Sequence, residues 1–171
     1  MKIYPSLISS DLLNLDKTIN QIDNYCDGFH IDVMDDHFVP NLTWGPAFVW
    51  AISEKTKLPL HVHLMVDEPE KWLDRVKLKK DDIFIFHVEA VVGWKENKVI
   101  DFIKKVTNLR AKAMGCKVGV AINPKTPVES IFSFLPSLDH VLIMAVEPGF
   151  SGQKFMPEVL EKVAILKEQR E

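Results

Sequence analysis

The chain has 171 residues, 47% of them apolar and 26% charged, with a formal net charge of -3 at pH 7. That supports one domain with its own hydrophobic core and argues against disorder. It also argues against nucleic acid or an anionic membrane as a partner, while leaving a small phosphorylated ligand open.

No apolar run reaches membrane-spanning length. Lys2-Ile3-Tyr4-Pro5 leads straight into strand-like sequence, so no leader is expected and a cytoplasmic protein is the default. Cys26 and Cys116 lie far apart and match no metal or redox spacing. They read as buried thiols in a reducing compartment.

Strand and helix signals alternate along the whole chain. A first strand is expected over Lys2–Ser9. A helix follows, with Leu12, Leu15, Ile19, Ile22 and Cys26 on one stripe. The second strand is Gly28–Met34, followed by a loop over Asp35–Gly45 and a helix carrying Phe48, Val49 and Ile52. The third strand is Leu60–Val66. Asp67, Pro69 and Glu70 then form a helix start signal ahead of Trp72, Leu73 and Val76. The fourth strand is Ile83–Glu89, followed by a helix over Glu96–Ala113 that ends at Gly115. The fifth strand is Cys116–Ile122, and Thr126-Pro127-Val128-Glu129 opens a fifth helix. The sixth strand is His140–Val146, and a sixth helix runs from Met156-Pro157 to the end.

Six βα units without a linker mean a single domain, 1–171, built on a parallel sheet covered by helices. Length alone suits an open doubly wound sheet, because a barrel needs eight strands. Polar residues within the strands argue the other way. His30, Asp32 and Met34 share one face, as do His61, His63 and Met65, and His87 and Glu89 share another. In an open sheet both faces pack against helices, and such groups are buried at high cost. A barrel turns one face inward and binds ligands at the C-terminal ends of its strands.

Taken singly, a strand histidine is most simply a hydrogen-bonded core residue. His30, Asp32 and His63 on neighbouring strands instead form a candidate set of divalent-metal ligands. His61 is either a supporting residue or simply packed, and His87 and Glu89 are weaker candidates. Asp36 and His37 fall in a loop, and His140 reads as structural. The turn Pro148-Gly149-Phe150-Ser151-Gly152-Gln153 could bring backbone N–H groups close to a phosphate, although by itself it is a plain turn. Met34, Met65 and Met144 read as core packing or as a soft apolar cover over a small substrate.

At these residues the sequence resembles the ribulose-phosphate 3-epimerase family, which includes the allulose-6-phosphate 3-epimerases. The blocks that carry the resemblance are Pro5-Ser6-Leu7, His30-Ile31-Asp32-Val33-Met34-Asp35, His37 through Thr43, His63-Leu64-Met65, Asn123-Pro124 with Thr126-Pro127, and Glu147-Pro148-Gly149-Phe150 with Gly152-Gln153-Lys154-Phe155. The resemblance implies a (β/α)8 TIM barrel, here with about six βα units and so truncated after the sixth. It implies a divalent metal, zinc first with Fe2+, Mn2+ or Co2+ as alternatives, held by His30, Asp32 and His63. Asp32 is also implied as one of two catalytic carboxylates. Ser6, His63, Met34, Met65 and Met144 are implied to contact a ketose phosphate, and Gly149, Phe150, Ser151 and Gly152 its phosphate. The family implies a cytoplasmic homo-oligomer. Its second catalytic aspartate is expected on a seventh strand, and no acidic residue of this sequence matches it. The family usually has glycine where Asp36 stands and often aspartate where His61 stands.

The implied reaction is epimerisation at C3, of D-ribulose 5-phosphate to D-xylulose 5-phosphate. Two alternatives stand beside it: a D-allulose 6-phosphate 3-epimerase, and a catalytically incompetent fragment that binds metal or protein. Other phosphate-binding barrel enzymes place lysines in their strands, and no strand here carries a central lysine.

Overall fold

The computed structural model describes residues 1–112 and 115–169, and the side chains of these outside 108–112. Five parallel strands form one sheet: β1 (Phe29–Met34), β2 (Leu60–Met65), β3 (Ile83–His87), β4 (Lys117–Ile122) and β5 (His140–Ile143). Their spatial order is their order in sequence. A doubly wound sheet reverses direction at a switch point, whereas a barrel adds each strand beside the last. The sequential order therefore identifies an α/β fold that forms part of a TIM barrel. The α-helices are α1 (Leu15–Ile22), α2 (Pro46–Lys55), α3 (Glu96–Lys112) and α4 (Leu160–Glu168).

The expected strand over Lys2–Ser9 does not form. Ser6 makes a single parallel bridge to His30, and Leu7–Ser9 coils into a 3-10 turn. Pro5 has no N–H to give to a ladder. Its carbonyl accepts from the His30 N–H at 2.9 Å, while the Ser6 hydroxyl caps the turn by accepting from the Ile8 N–H at 3.3 Å.

Two expected helices are reduced to short turns. The start signal at Asp67–Glu70 yields only Pro69–Trp72, and the one at Thr126–Glu129 yields Val128–Ile131 and Leu135–Ser137. A cap helps nucleate a helix but does not extend it, and Pro136 interrupts the second segment. Strand ends also come earlier than expected. Glu89 lies in a 3-10 turn, Val88–Val91, beyond the end of β3, and β5 stops at Ile143. The expected helix end at Ala113 and the last two residues of the sixth helix lie outside the described residues.

Strand alternation sorts the side chains into two sets. Phe29, Ile31, Val33, Leu60, Val62, Leu64, Phe84, Phe86, Val118 and Val120 point to the helices and pack with Ile19, Val49, Ile52, Phe102, Ile103 and Val106. The alternate residues face the other way. Ile83, Ile85 and Ala121, with Leu142, form an apolar patch there, and beside it lie the polar residues of β1 and β2. Cys26 is half-buried and Cys116 buried.

Asp82 ties the strand entries together. Its buried carboxylate accepts from the Leu60 N–H at 2.8 Å and the Lys79 N–H at 2.7 Å. Its own carbonyl accepts from the Lys117 N–H at 2.7 Å. Asp82→Ala strands two N–H groups and is expected to cost about 2 to 4 kcal/mol in urea denaturation. A loss below about 0.5 kcal/mol, the scale of an ordinary surface change, would show that this tie is dispensable.

Candidate metal centre

β1 and β2 pair in register, which sets Asp32 opposite His63 and His30 opposite His61. Three donor atoms converge as a result. His30 Nε2 lies 3.2 Å from Asp32 Oδ1 and 3.2 Å from His63 Nδ1, and His63 Nδ1 lies 3.0 Å from Asp32 Oδ1. The Ser6 hydroxyl donates to the other carboxylate oxygen, Oδ2, at 2.5 Å. The bridge that replaces the first strand is what brings Ser6 there.

This donor set fits a cation. Ligand bonds of about 2.0 to 2.1 Å in a tetrahedral site put neighbouring donors about 3.3 Å apart, close to the spacing of these three atoms. Hydrogen bonding alone serves the triangle poorly. Two imidazole nitrogens 3.2 Å apart share at most one proton, and a carboxylate oxygen supplies none. His30, Asp32 and His63 are also the group of described residues whose ligating atoms all lie within 4.8 Å of one another.

Burial shapes the electrostatics. It pushes the Asp32 carboxyl up, but hydrogen bonds and charge from His30 and His63 outweigh it and hold the group well below the usual carboxylate range. Burial also pushes His63 down to about 3, with His87 and His30 adding to the effect and Asp32 opposing it. Asp32 is therefore ionised and His63 neutral near pH 7, the states a metal ligand needs.

His61 is packed in the interior. Its ring stacks on Tyr4 at 3.7 Å between centroids and meets the edge of His140 at 5.1 Å. Burial, then the neighbouring His140 and His30, push it down to about 3. His87 is fully buried and joins the cluster: its Nε2 lies 2.8 Å from His63 Nε2, and its Nδ1 lies 3.0 Å from Glu89 Oε2. Asp36 and His37 are exposed. Asp36 also has a left-handed backbone, with φ of 61°, where glycine fits without strain.

Met34 and Met65 are register partners and pack with Val39, under Phe38 and Ile8. Met144 lies apart from that group, half-buried just past β5. Gly149 and Gly152 have φ of 122° and 77°, so the turn needs glycine at both places. Gly149 is buried, whereas Phe150, Ser151 and Gly152 are exposed. The Gln153 side chain donates to the carbonyls of Glu147 and Phe150 at 2.6 and 2.8 Å, closing the turn on itself.

Sequence reasoning assigned no role to three residues that hold this region together. Thr43 Oγ1 donates to the Asp32 carbonyl at 2.7 Å and accepts from the Met34 N–H at 2.9 Å. Asn41 Nδ2 donates to the Gly149 carbonyl at 2.6 Å, joining the loop after β1 to the glycine turn. Lys162, on α4, donates to the carbonyls of Asn123, Pro124 and Thr126. Asn41 and Thr43 sit in motif blocks that flag them, whereas nothing in helical periodicity marks Lys162.

A family model described as the ribulose-phosphate 3 epimerase family matches residues 2–171. The ribulose-phosphate 3-epimerase of Schizosaccharomyces pombe is 44% identical over 172 residues, covering 98% of this chain and 71% of that protein. That of Eremothecium gossypii is 40% identical over 179 residues, with the same coverage of 98% and 71%. That of Bacillus subtilis is 41% identical over 168 residues, covering 98% and 73%.

The buried histidines make acid stability a test of this geometry. His61 and His63 stay neutral in the fold down to about pH 3, against 6.5 for an ordinary histidine. In that window the unfolded chain binds more protons, so their contribution is complete above pH 6.5 and is lost as pH falls toward 3. Urea midpoints are expected to drop steadily from about pH 7 to about pH 4, and less steeply for His61→Gln. Equal slopes for the parent and His61→Gln would remove His61 from this account.

Proposed function

The chain belongs to the ribulose-phosphate 3-epimerase family, and from that premise we propose that it carries out metal-dependent epimerisation at C3 of a ketose phosphate, D-ribulose 5-phosphate to D-xylulose 5-phosphate. The observation that carries this reading is the convergence of His30, Asp32 and His63, with Ser6 bonded to the same carboxylate.

Epimerisation at C3 of a 2-ketose begins with loss of a proton next to the carbonyl. We assign that step to the Asp32 carboxylate, which is ionised near neutral pH and whose Oδ2 accepts from Ser6. His30, Asp32 and His63 would hold a divalent cation, zinc first with Fe2+, Mn2+ and Co2+ as alternatives. When bound, it supplies positive charge beside the oxygens that turn negative as C3 loses its proton. Met34 and Met65 would form an apolar wall that keeps water from the reacting carbon, and Met144 would be a separate substrate contact from just past β5. The backbone N–H groups of Gly149 through Gly152 serve the phosphate, on a turn held by Asn41 and Gln153.

Inversion also requires an acid on the opposite face of C3. Glu89 is engaged by His87 and Asn123, and Glu147 pairs with Lys125 at 2.9 Å. Neither is assigned that part. Proton abstraction is therefore the half of the reaction this site explains.

The two halves separate by experiment. Zinc-supplied protein is incubated in deuterium oxide with D-ribulose 5-phosphate, and in parallel with D-allulose 6-phosphate. Deuterium entry at C3 reads proton abstraction, and formation of the epimer reads inversion. Asp32→Asn is expected to lower C3 exchange by about 10²-fold or more, with the far-ultraviolet circular dichroism of the parent retained. Near-parental exchange in that variant would overturn the role of Asp32. Faster conversion of the hexulose phosphate would move the substrate assignment.

A further inference from the structure

The polar chain continues beyond the three donors. His63 Nε2 lies 2.8 Å from His87 Nε2, and His87 Nδ1 lies 3.0 Å from Glu89 Oε2. Glu89 Oε1 accepts from the backbone N–H of Asn123 at 2.8 Å. His87 is fully buried, with the Phe38 ring packed 4.7 Å from its own.

The direction of every bond in this chain follows from its outer end. A backbone N–H can only donate, so Glu89 Oε1 accepts. A carboxylate has no hydrogen to give, so His87 Nδ1 carries one. A neutral imidazole has a single N–H, which leaves His87 Nε2 as the acceptor. The hydrogen in the 2.8 Å contact then belongs to His63 Nε2. Neutral His63 has no second hydrogen, so its Nδ1, beside Asp32 Oδ1 and His30 Nε2, presents a lone pair.

We infer that His87 and Glu89 are positioning residues that hold His63 in the tautomer able to ligate a cation through Nδ1. The inference rests on the metal site proposed above. Burial alone would raise the Glu89 carboxyl, but hydrogen bonds from His87, Thr126 and Asn123 lower it, which keeps it an acceptor.

Glu89→Gln preserves size and reverses the chain. With the Asn123 N–H still demanding an oxygen, the new NH2 faces His87 Nδ1, which becomes the acceptor. His87 then carries its hydrogen on Nε2 and directs it at His63. That favours Nδ1–H on His63 and blocks the ligand. His87→Gln puts an amide oxygen where Nε2 was, which accepts from His63 whatever residue 89 does.

The experiment titrates zinc alone into metal-stripped protein and reads affinity by chelator competition. Four proteins are compared: the parent, Glu89→Gln, His87→Gln and the double variant. Glu89→Gln is expected to weaken zinc binding about 10- to 100-fold, the scale for partners of metal ligands. The double variant is expected to recover most of that loss. In the zinc-loaded parent, histidine 15N spectra are expected to show hydrogen on His87 Nδ1 and none on Nε2. A parent that binds no zinc overturns the metal site itself. A parent that binds while Glu89→Gln binds equally well overturns the inference alone, as does a double variant as weak as Glu89→Gln, or hydrogen on both nitrogens of His87. If Glu89→Gln does not fold, the parent's 15N spectra decide: hydrogen on His87 Nδ1 alone upholds the relay, and hydrogen on Nε2 ends it.

Discussion

Asp32 faces His63 because two parallel strands are paired without a slip, and the site depends on that register. A shift of one residue would send His30, Asp32 and Met34 into the helix-packed layer and bring Phe29, Ile31 and Val33 inward. The apolar set holds the register in place. Phe29, Ile31 and Val33 on β1 and Leu60, Val62 and Leu64 on β2 are all buried against helices, so a slip of either strand would turn three large side chains out of the core and bury ionisable ones. Core packing and functional geometry are enforced by the same alternation.

Buried polar side chains are costly unless each finds a partner. Here the partners come from short segments next to the strands. Ser6 arrives through a bridge, Thr43 returns from the loop after β1, and Glu89 lies two residues beyond the end of β3. Asp35 illustrates the same economy. Burial raises its carboxyl, but the backbone N–H groups of Phe38, Asp67 and His37 lower it, so one side chain shapes its own loop and holds the segment after β2. The glycine turn after β5 is joined to that loop by Asn41 and packs Gly149 beside Val39. The C-terminal ends of β1, β2 and β5 are thereby coupled before any ligand enters.

Much of this was legible in the sequence, because period-2 alternation is strong wherever one face carries histidine and aspartate and the other carries branched apolar residues. That pattern located His30, Asp32 and His63 and favoured a barrel over a doubly wound sheet. The failures have local causes. Pro5 cannot donate to a ladder, so an apolar run became a bridge and a turn. Pro69 and Pro127 announced helices that the following residues were too short or too interrupted to extend. Glu89 read as an inward strand residue, and its position in a 3-10 turn is what lets it reach His87 and the Asn123 N–H together. The roles of Thr43 and Lys162 depend on backbone carbonyls brought near by the fold, and composition carries no trace of that.

Lys162 shows how far from the donors their arrangement is secured. Its ammonium group has three hydrogens and donates to three carbonyls, of Asn123, Pro124 and Thr126, at 2.8, 2.7 and 2.6 Å. Burial lowers its pKa, although the charges of Glu89 and Glu129 oppose that. Those carbonyls belong to the loop that presents the Asn123 N–H to Glu89, so α4 fixes the donor from which the histidine chain takes its direction. A neutral side chain there would leave three carbonyls to water and the Asn123 peptide less firmly held. A helix at the periphery thus reaches His63, one of the three converging donors, through a chain of hydrogen bonds that starts at the Asn123 N–H.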